Sequence, residues 1–267
     1  MVIQSQQQSL RFAIAAIRMS FRRNLQYRGQ HMINNVASAI FGFIYMAIWR
    51  SVAQAGTGEP GYTALSLVQY IMVNQCLMWL TTFDRYGILL AGRVRDGTIG
   101  SDLMRPVGFM ALHMGQIYGG KLYNFFFRSL ALAAIFALAV GMQPPAGSIP
   151  LVVAAVIIAT HIGSLMVYFV GLAGFWTVET GWLYILFQTM TILMGGPSVP
   201  LDFMPAAIAA VAQALPFACL GYYPASIYMG LLGLEALLIM IAWATILTAA
   251  AVHITHRARR RAEVVGG

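Results

Sequence analysis

The sequence predicts an all-α integral membrane protein with six transmembrane helices. Of its 267 residues, 60% are hydrophobic and only 9% are charged, whereas about a quarter of the residues in a soluble domain are charged. The apolar residues fall in blocks of about 20, the length of helix that crosses a hydrocarbon layer of about 30 Å. The basic residues lie beside these blocks in three clusters, as expected of a chain that crosses a bilayer several times.

The N-terminal segment is expected to lie on the membrane surface. Apolar residues recur at helical spacing over residues 10–27, and Arg11, Arg18 and Arg22 line the edge of that face. This pattern is typical of an amphipathic interfacial helix whose arginines reach toward lipid phosphates. An ordinary packing helix with a solvated charged face is the alternative.

Six apolar segments are candidates for the spanning helices. They belong to a single transmembrane domain, 1–267, which also includes a cytoplasmic or interfacial segment, 1–31, and a cytoplasmic tail, 253–267. The predicted spans are residues 32–53, 63–84, 121–141, 150–174, 182–197 and 231–252. Glycine and proline mark the turns after the first and third of them.

The distribution of lysine and arginine predicts that both termini are cytoplasmic. Fifteen of the sixteen lie in residues 1–31, 85–128 and 257–261, and the turns at 54–62 and 142–149 contain none. Positive charge resists translocation, so the three basic clusters should stay in the cytoplasm. Two cytoplasmic termini require an even number of spans.

Residues 197–230 are apolar, but we do not interpret them as a seventh span. They contain five of the ten prolines, and another crossing would place the basic tail outside. We therefore predict a re-entrant helical hairpin at the outer face between spans five and six, because irregular backbone at membrane depth must be shielded by protein. The residues chosen to mark it are Pro200, Pro205, Pro216 and Phe217.

Motifs for catalysis and cofactor binding are missing from the sequence. It contains no G-x-x-x-x-G-K-[ST] phosphate loop, no H-E-x-x-H, no G-x-S-x-G and no paired C-x-x-C. Cys76 and Cys219 form neither a disulfide framework nor a metal-ligand cluster. We expect no catalytic residue, metal or cofactor in this chain. Membrane topology accounts for the net charge of +8 better than nucleic-acid binding does.

Uncharged polar residues within the predicted spans mark a candidate substrate path. Asn35, Asn74 and Gln188 lie in the first, second and fifth spans. The alternative is interhelical hydrogen bonding, worth about 0.6 kcal/mol per bond on average. A G-x-x-x-G pattern at Gly115 and Gly119 lies outside the predicted spans, where it is a weak signal and could mark a bend.

The cytoplasmic stretch 93–107 is a candidate contact with a partner protein. It carries charges of both signs, and its glycines allow a tight bend before a proline. Its candidate residues are Arg93, Arg95, Asp96, Gly97, Asp102, Arg105 and Pro106. An ordinary solvated loop is the alternative.

The same stretch resembles a motif of the permease subunits of type-two ABC exporters. That motif, R-x-G-x-I/L-x-x-x-L-x-R-P, is similar to residues 95–106. A second one, G-G/x-x-P-L-x-x-x-P followed by L-P-F and Y-P-x-x-I, is similar to residues 195–205, 215–217 and 223–227, and F-W-T is found at 175–177. The resemblance covers nearly the whole chain through the order and spacing of these motifs.

The resemblance implies a permease that works as a dimer with two ATP-binding subunits on its cytoplasmic face. ATP and Mg would belong to those subunits, and residues 93–106 would contain the coupling helix between spans two and three. The second permease would be identical or a related paralogue. The family also implies the prokaryotic plasma (inner) membrane and contact with lipid. Substrates across the class range from drugs and peptides to lipids and glycans, so the resemblance does not identify the substrate of this chain.

Two other classes of function are weighed against this one. A secondary transporter or channel would need intramembrane charges or an internal repeat, and the sequence shows neither. A polytopic enzyme of lipid metabolism would need clustered carboxylates or histidines. Asp96 and Asp102 are the nearest candidates, and no metal-ligand set surrounds them.

We predict that the purified chain does not hydrolyse nucleotide, because it lacks a phosphate-binding loop. Phosphate release from ATP should stay at the level of a mock preparation. Hydrolysis that disappears when one of this chain's own residues is substituted would contradict the prediction.

Overall fold

The fold is known from a computed structural model that describes residues 2–26, 28–55, 62–105 and 108–265. The described chain is all-helical and has no strand. Its helices are α1 Val2–Gln26, α2 Arg28–Gln54, α3 Ala64–Thr81, α4 Tyr86–Arg95, α5 Gly100–Leu103, α6 Phe109–Asn124, α7 Leu130–Val140, α8 Ile149–Ala173, α9 Gly181–Met194, α10 Ala206–Ala214, α11 Tyr222–Tyr228 and α12 Leu234–Val265. A π-helical turn, Phe125–Ser129, joins α6 to α7, and 3₁₀ turns lie at Leu201–Phe203 and Pro216–Leu220.

Among the residues that the structure describes, five helical stretches are long and apolar enough to cross a membrane, which confirms a multi-pass membrane protein. They are Met32–Gln54, Ala64–Arg95, Phe109–Val140, Ile149–Ala173 and Leu234–Ala262. The fifth predicted span corresponds to α9, which has 14 residues and is shorter than the others. The six-span layout therefore stays a prediction.

The third long helix begins earlier than the third predicted span. It runs continuously from Phe109 through the π turn to Val140, whereas the apolar block begins at residue 121. The sequence places Lys121 and Arg128 in a cytoplasmic cluster, but the structure buries both, with 2% and 4% of their surfaces exposed. Lys121 Nζ lies 3.4 Å from Asp84 Oδ2, and the Arg128 guanidinium lies 3.7 Å from the ring centre of Trp79.

The stretch formed by α3 and α4 is the centre of the bundle. Of the residues in its most apolar 18-residue stretch, 72% are buried, against 22% in the corresponding stretch of α2 and 17% in that of α12. Helix α8 approaches it through glycines: a Cβ on Gly163 would collide with the Thr81 carbonyl, and one on Gly174 would lie 2.8 Å from Ala91 Cα. Small residues that bring helix backbones together are a usual basis for helix association in membranes.

Residues 195–230 fold onto the end of the bundle where α2 ends and α3 begins. Trp49 Nε1 donates to the Ser198 carbonyl at 2.8 Å, and the Tyr70 hydroxyl donates to the Gly196 carbonyl at 2.8 Å. The longest helix within the segment, α10, has nine residues and extends only about 14 Å. No single helix within the segment therefore crosses a bilayer.

The proline positions chosen from the sequence divide this segment. Pro200 precedes the first 3₁₀ turn, Pro205 precedes α10, and Pro216 with Phe217 opens the second 3₁₀ turn. Proline suits the beginning of a helical turn because its φ is fixed near the helical value and the N–H that it lacks would have no helical partner there.

An acidic residue holds the segment to the bundle. Asp202 accepts hydrogen bonds from the Tyr62 and Tyr222 hydroxyls, each at 2.7 Å. Burial raises the pKa of Tyr62, and the hydrogen bond to Asp202 raises it further; the pKa of Tyr222 is raised for the same reasons. Both phenols therefore remain protonated donors around neutral pH.

We predict that α10 faces the outside of the cell. A Cys76→Ser, Cys219→Ser background that carries Ala207→Cys, at an exposed position of α10, should react with a membrane-impermeant maleimide on intact cells. The matched variant Arg260→Cys, in the exposed part of the tail, should react only after the cells are opened. The reverse pattern would invert the topology, and labelling of both sites on intact cells would imply an odd number of spans.

Candidate functional site

The stretch predicted to contact a partner is a helical turn followed by a short helix. Helix α4 ends at Arg95, and Gly97 has φ +72°, a left-handed conformation that glycine adopts without strain. The Ile99 N–H bonds the Arg93 carbonyl at 3.0 Å, and α5 then covers residues 100–103. Pro106 lies outside the described residues.

Asp102 anchors this turn from the inside. Its side chain is 2% exposed, and Oδ2 lies 2.6 Å from Arg93 Nη1 and 3.6 Å from His113 Nε2. Arg105 Nε lies 3.5 Å from Oδ1. His113 in turn shares a 2.7 Å hydrogen bond with the Tyr86 hydroxyl. The carboxylate thus joins α5 to α4 and α6, and we call this cluster the Asp102 clamp.

The clamp changes the role expected for Asp102. From the sequence, its charge was expected to face a partner, but in the structure it is buried. The exposed charges of this surface include Arg105, which is 54% exposed, and the group Arg95, Asp96 and Glu179, in which Arg95 lies 3.5 Å from each carboxylate. Glu179 was not selected from the sequence, although its position after the fourth predicted span placed it on the same side of the membrane.

Helix α1 lies along α6, and the G-x-x-x-G pattern forms the contact. A Cβ on Gly115 would lie 3.0 Å from the Ala13 carbonyl oxygen, and one on Gly119 would lie 2.7 Å from Ser20 Cβ. The Ser20 hydroxyl donates to the Gln116 carbonyl at 2.7 Å. The glycines therefore seat α1 and do not mark a bend.

A cleft of about 820 Å³ lies between α2, α3, α6 and α9. It extends from Arg23 on α1 to Ser198 in the segment 195–230, so it follows the bundle from one end to the other. Three residues of α9 at helical spacing line it, Tyr184, Gln188 and Ile192. Of the three residues selected for a substrate path, Gln188 therefore borders the cleft.

The other two selected residues lie elsewhere. Asn35 Nδ2 donates to the Phe127 carbonyl in the π turn at 2.7 Å, and Asn74 Nδ2 donates to the Tyr70 carbonyl at 3.1 Å. Their neighbours Asn34 and Gln75 line the cleft instead. Residues 34, 38, 41 and 45 of α2 all border it, and this helical period was the signal available in the sequence.

The cleft also contains charged groups. Arg23, Arg85 and Arg128 line it together with Asp84. Arg128 lies in the π turn, which packs against α3; such turns occur frequently at functional sites. Asn124, one residue before the turn, donates to the Trp79 carbonyl at 3.0 Å.

Comparison with known proteins identifies the protein family of this chain. The model of a family described as ABC-2 family transporter protein matches residues 34–263, which is 230 of the 267 residues. No curated protein matches the chain.

We predict that Gly119→Ala destabilises the fold by displacing α1. The new Cβ collides with the Ile17 carbonyl and Ser20, and overpacking of this kind costs about 1–3 kcal/mol. Thermal unfolding in detergent should show a lower Tm. The control is Gly120→Ala on the same helix, whose Cβ would meet its nearest atoms at 3.9 Å; its Tm should not fall. Equal changes in Tm for the two variants would show that the contact between Gly119 and α1 does not contribute specifically to stability.

Proposed function

The chain belongs to the ABC-2 family of transporter proteins, and we propose that it is the transmembrane permease of an ATP-driven exporter whose energy comes from separate ATP-binding subunits. Family membership and the apolar helices make it an ABC transporter permease with several membrane-spanning segments. Family members of this kind are transport subunits and not ATPases, in agreement with the missing phosphate loop. Membership also favours this function over a secondary transporter or a lipid-metabolism enzyme.

The observation that carries the coupling role is the Asp102 clamp. An element that passes a stroke from an ATPase to the membrane must be short and held firmly, or its motion dissipates. The clamp holds α5 to α4 through the Arg93–Asp102 ion pair and to α6 through the contact between Asp102 and His113. It leaves Arg95 and Asp96 about half exposed or more, at 51% and 63%. We propose that this exposed surface docks on an ATP-binding subunit, which carries the ATP and Mg.

The open cleft supports a dimeric permease. Its two flanking helices present large apolar side chains that remain uncovered in one copy, among them Phe41 and Ile44 on α2 and Ile185 on α9. A second permease, identical or a related paralogue, would cover these faces and close the cleft into a path between the subunits. Gln188 would then border that path.

The orientation proposed for the chain follows from the charges. The Asp102 clamp and the tail belong to basic clusters, and the positive-inside rule places such clusters in the cytoplasm. The outer segment 195–230 packs at the opposite end, beside turns without lysine or arginine in the sequence. We therefore propose that both termini lie on the cytoplasmic side of a prokaryotic plasma (inner) membrane.

We predict that Arg95→Ala, Asp96→Ala and Glu179→Ala weaken docking of the ATPase when they are combined. An exposed pair contributes about 0.2–1 kcal/mol, so each single change should reduce affinity fivefold or less and the triple variant should reduce it further. The measurement is recovery of the ABC ATPase encoded nearest to this gene when the two proteins are co-expressed and the permease is purified.

Arg50→Ala is the matched control, since Arg50 is an exposed arginine near the C-terminal end of α2 and does not belong to the proposed docking surface. It should recover as much ATPase as the parent chain. If the triple variant also assembles fully and supports parental rates of hydrolysis, the exposed surface of the turn is an ordinary solvated loop.

A further inference from the structure

The charges in the cleft point to the chemistry of what enters it. Resting on the permease function proposed above, we propose that the cleft binds an amphiphile with an anionic phosphate or carboxylate head group, which Arg128 holds within the membrane. Arg23 and Arg85, exposed at the α1 end of the cleft, receive the head group first. The apolar part of the ligand lies along the side chains of α2 and α9 that line the cleft.

Arg128 lies too deep to serve as a surface anchor. Twelve residues separate it from Val140 at the other end of the helix, a distance of about 18 Å at about 1.5 Å per residue. With Val140 placed at one boundary of a hydrocarbon layer about 30 Å thick, the Cα of Arg128 would lie about 12 Å inside the other boundary. An ionisable group at that depth is costly and marks a functional site or pathway.

The cleft is positively charged overall. Asp84 is the only carboxylate among its lining residues in the described part of the chain, and its two oxygens are engaged. Oδ1 accepts the Tyr86 N–H at 2.9 Å, and Oδ2 faces Lys121 Nζ at 3.4 Å. Lys121 thus balances Asp84, and the three arginines give the cleft an excess of positive charge that is complementary to an anion.

The walls of the cleft favour an amphiphile over a small soluble anion. Phe41 and Leu89 line it and are 60% and 58% exposed, and Ile192 is 38% exposed. Side chains of this kind offer contact to an acyl chain or another apolar tail. The planar guanidinium binds carboxylate and phosphate through paired N–H groups, so head group and tail find their partners in the same cleft.

The test is native mass spectrometry of the purified full chain in detergent, incubated with equal amounts of phosphatidylglycerol and phosphatidylcholine. We expect the parent chain to retain the anionic lipid at least fivefold more than the zwitterionic one. Arg128→Gln should bring this ratio to within twofold of one, and Arg128→Lys should keep most of it. Arg260→Gln, which removes an exposed charge from the tail, should leave the ratio unchanged.

Three outcomes would overturn the proposal: an unchanged ratio in Arg128→Gln, an equal loss in Arg260→Gln, or displacement of the bound lipid by millimolar glycerol phosphate, which would identify a soluble ligand. If Arg128→Gln does not fold, Arg23→Gln combined with Arg85→Gln replaces it, since both residues are exposed, and the ratio of bound anionic to zwitterionic lipid should fall at least twofold.

No ATPase is present in the experiment. A failure of lipid selectivity is therefore separate from a failure of the permease function.

Discussion

Hydrocarbon supplies no hydrogen-bond partner, so the polar groups between the helices of this chain depend on one another. Tyr118, His161 and Thr248 form a chain of hydrogen bonds across three helices, with distances of 2.5 and 2.9 Å. The Tyr168 hydroxyl bonds Thr255 at 2.8 Å. These bonds fix which faces of α6, α8 and α12 meet, while glycines bring α8 close to α3 and α4, and α6 close to α1. Helix α6, which this arrangement positions, contributes to both the clamp and the cleft.

The fold was predictable from the sequence where the bilayer dictates the pattern. Apolar blocks and the placement of arginine gave the helical membrane class and most helix positions. The start of the third long helix was not predictable, because Lys121 and Arg128 resemble cytoplasmic charges until their partners, Asp84 and Trp79, are known. The site was predictable only in part for the same reason: Gln188 borders the cleft, but whether Asn34 or Asn35 does so depends on helix rotation.

The Asp102 clamp shows that a charged residue that is buried can stabilise the fold instead of forming an exposed contact surface. Asp102, Arg93 and Arg105 look like a docking surface in the sequence, yet Arg93 and Arg105 lie 2.6 and 3.5 Å from the buried Asp102 carboxylate. Breaking a buried pair leaves an uncompensated charge and destabilises a protein far more than losing an exposed pair does. Variants of Asp102 therefore report on folding of the turn, whereas variants of the exposed Asp96 test the docking proposed for this surface.

One helix connects the clamp to the cleft. His113, which touches Asp102, and Arg128, which lines the cleft, lie on the same continuous helix about 22 Å apart along its axis. Between them, Gly119 seats α1 against this helix, so a displacement of the turn carries α1 with it. The π turn that follows is the point where the helix departs from regular α geometry. If the surface proposed to dock on an ATPase is displaced, this continuous helix would carry the displacement from the clamp toward Arg128 in the cleft.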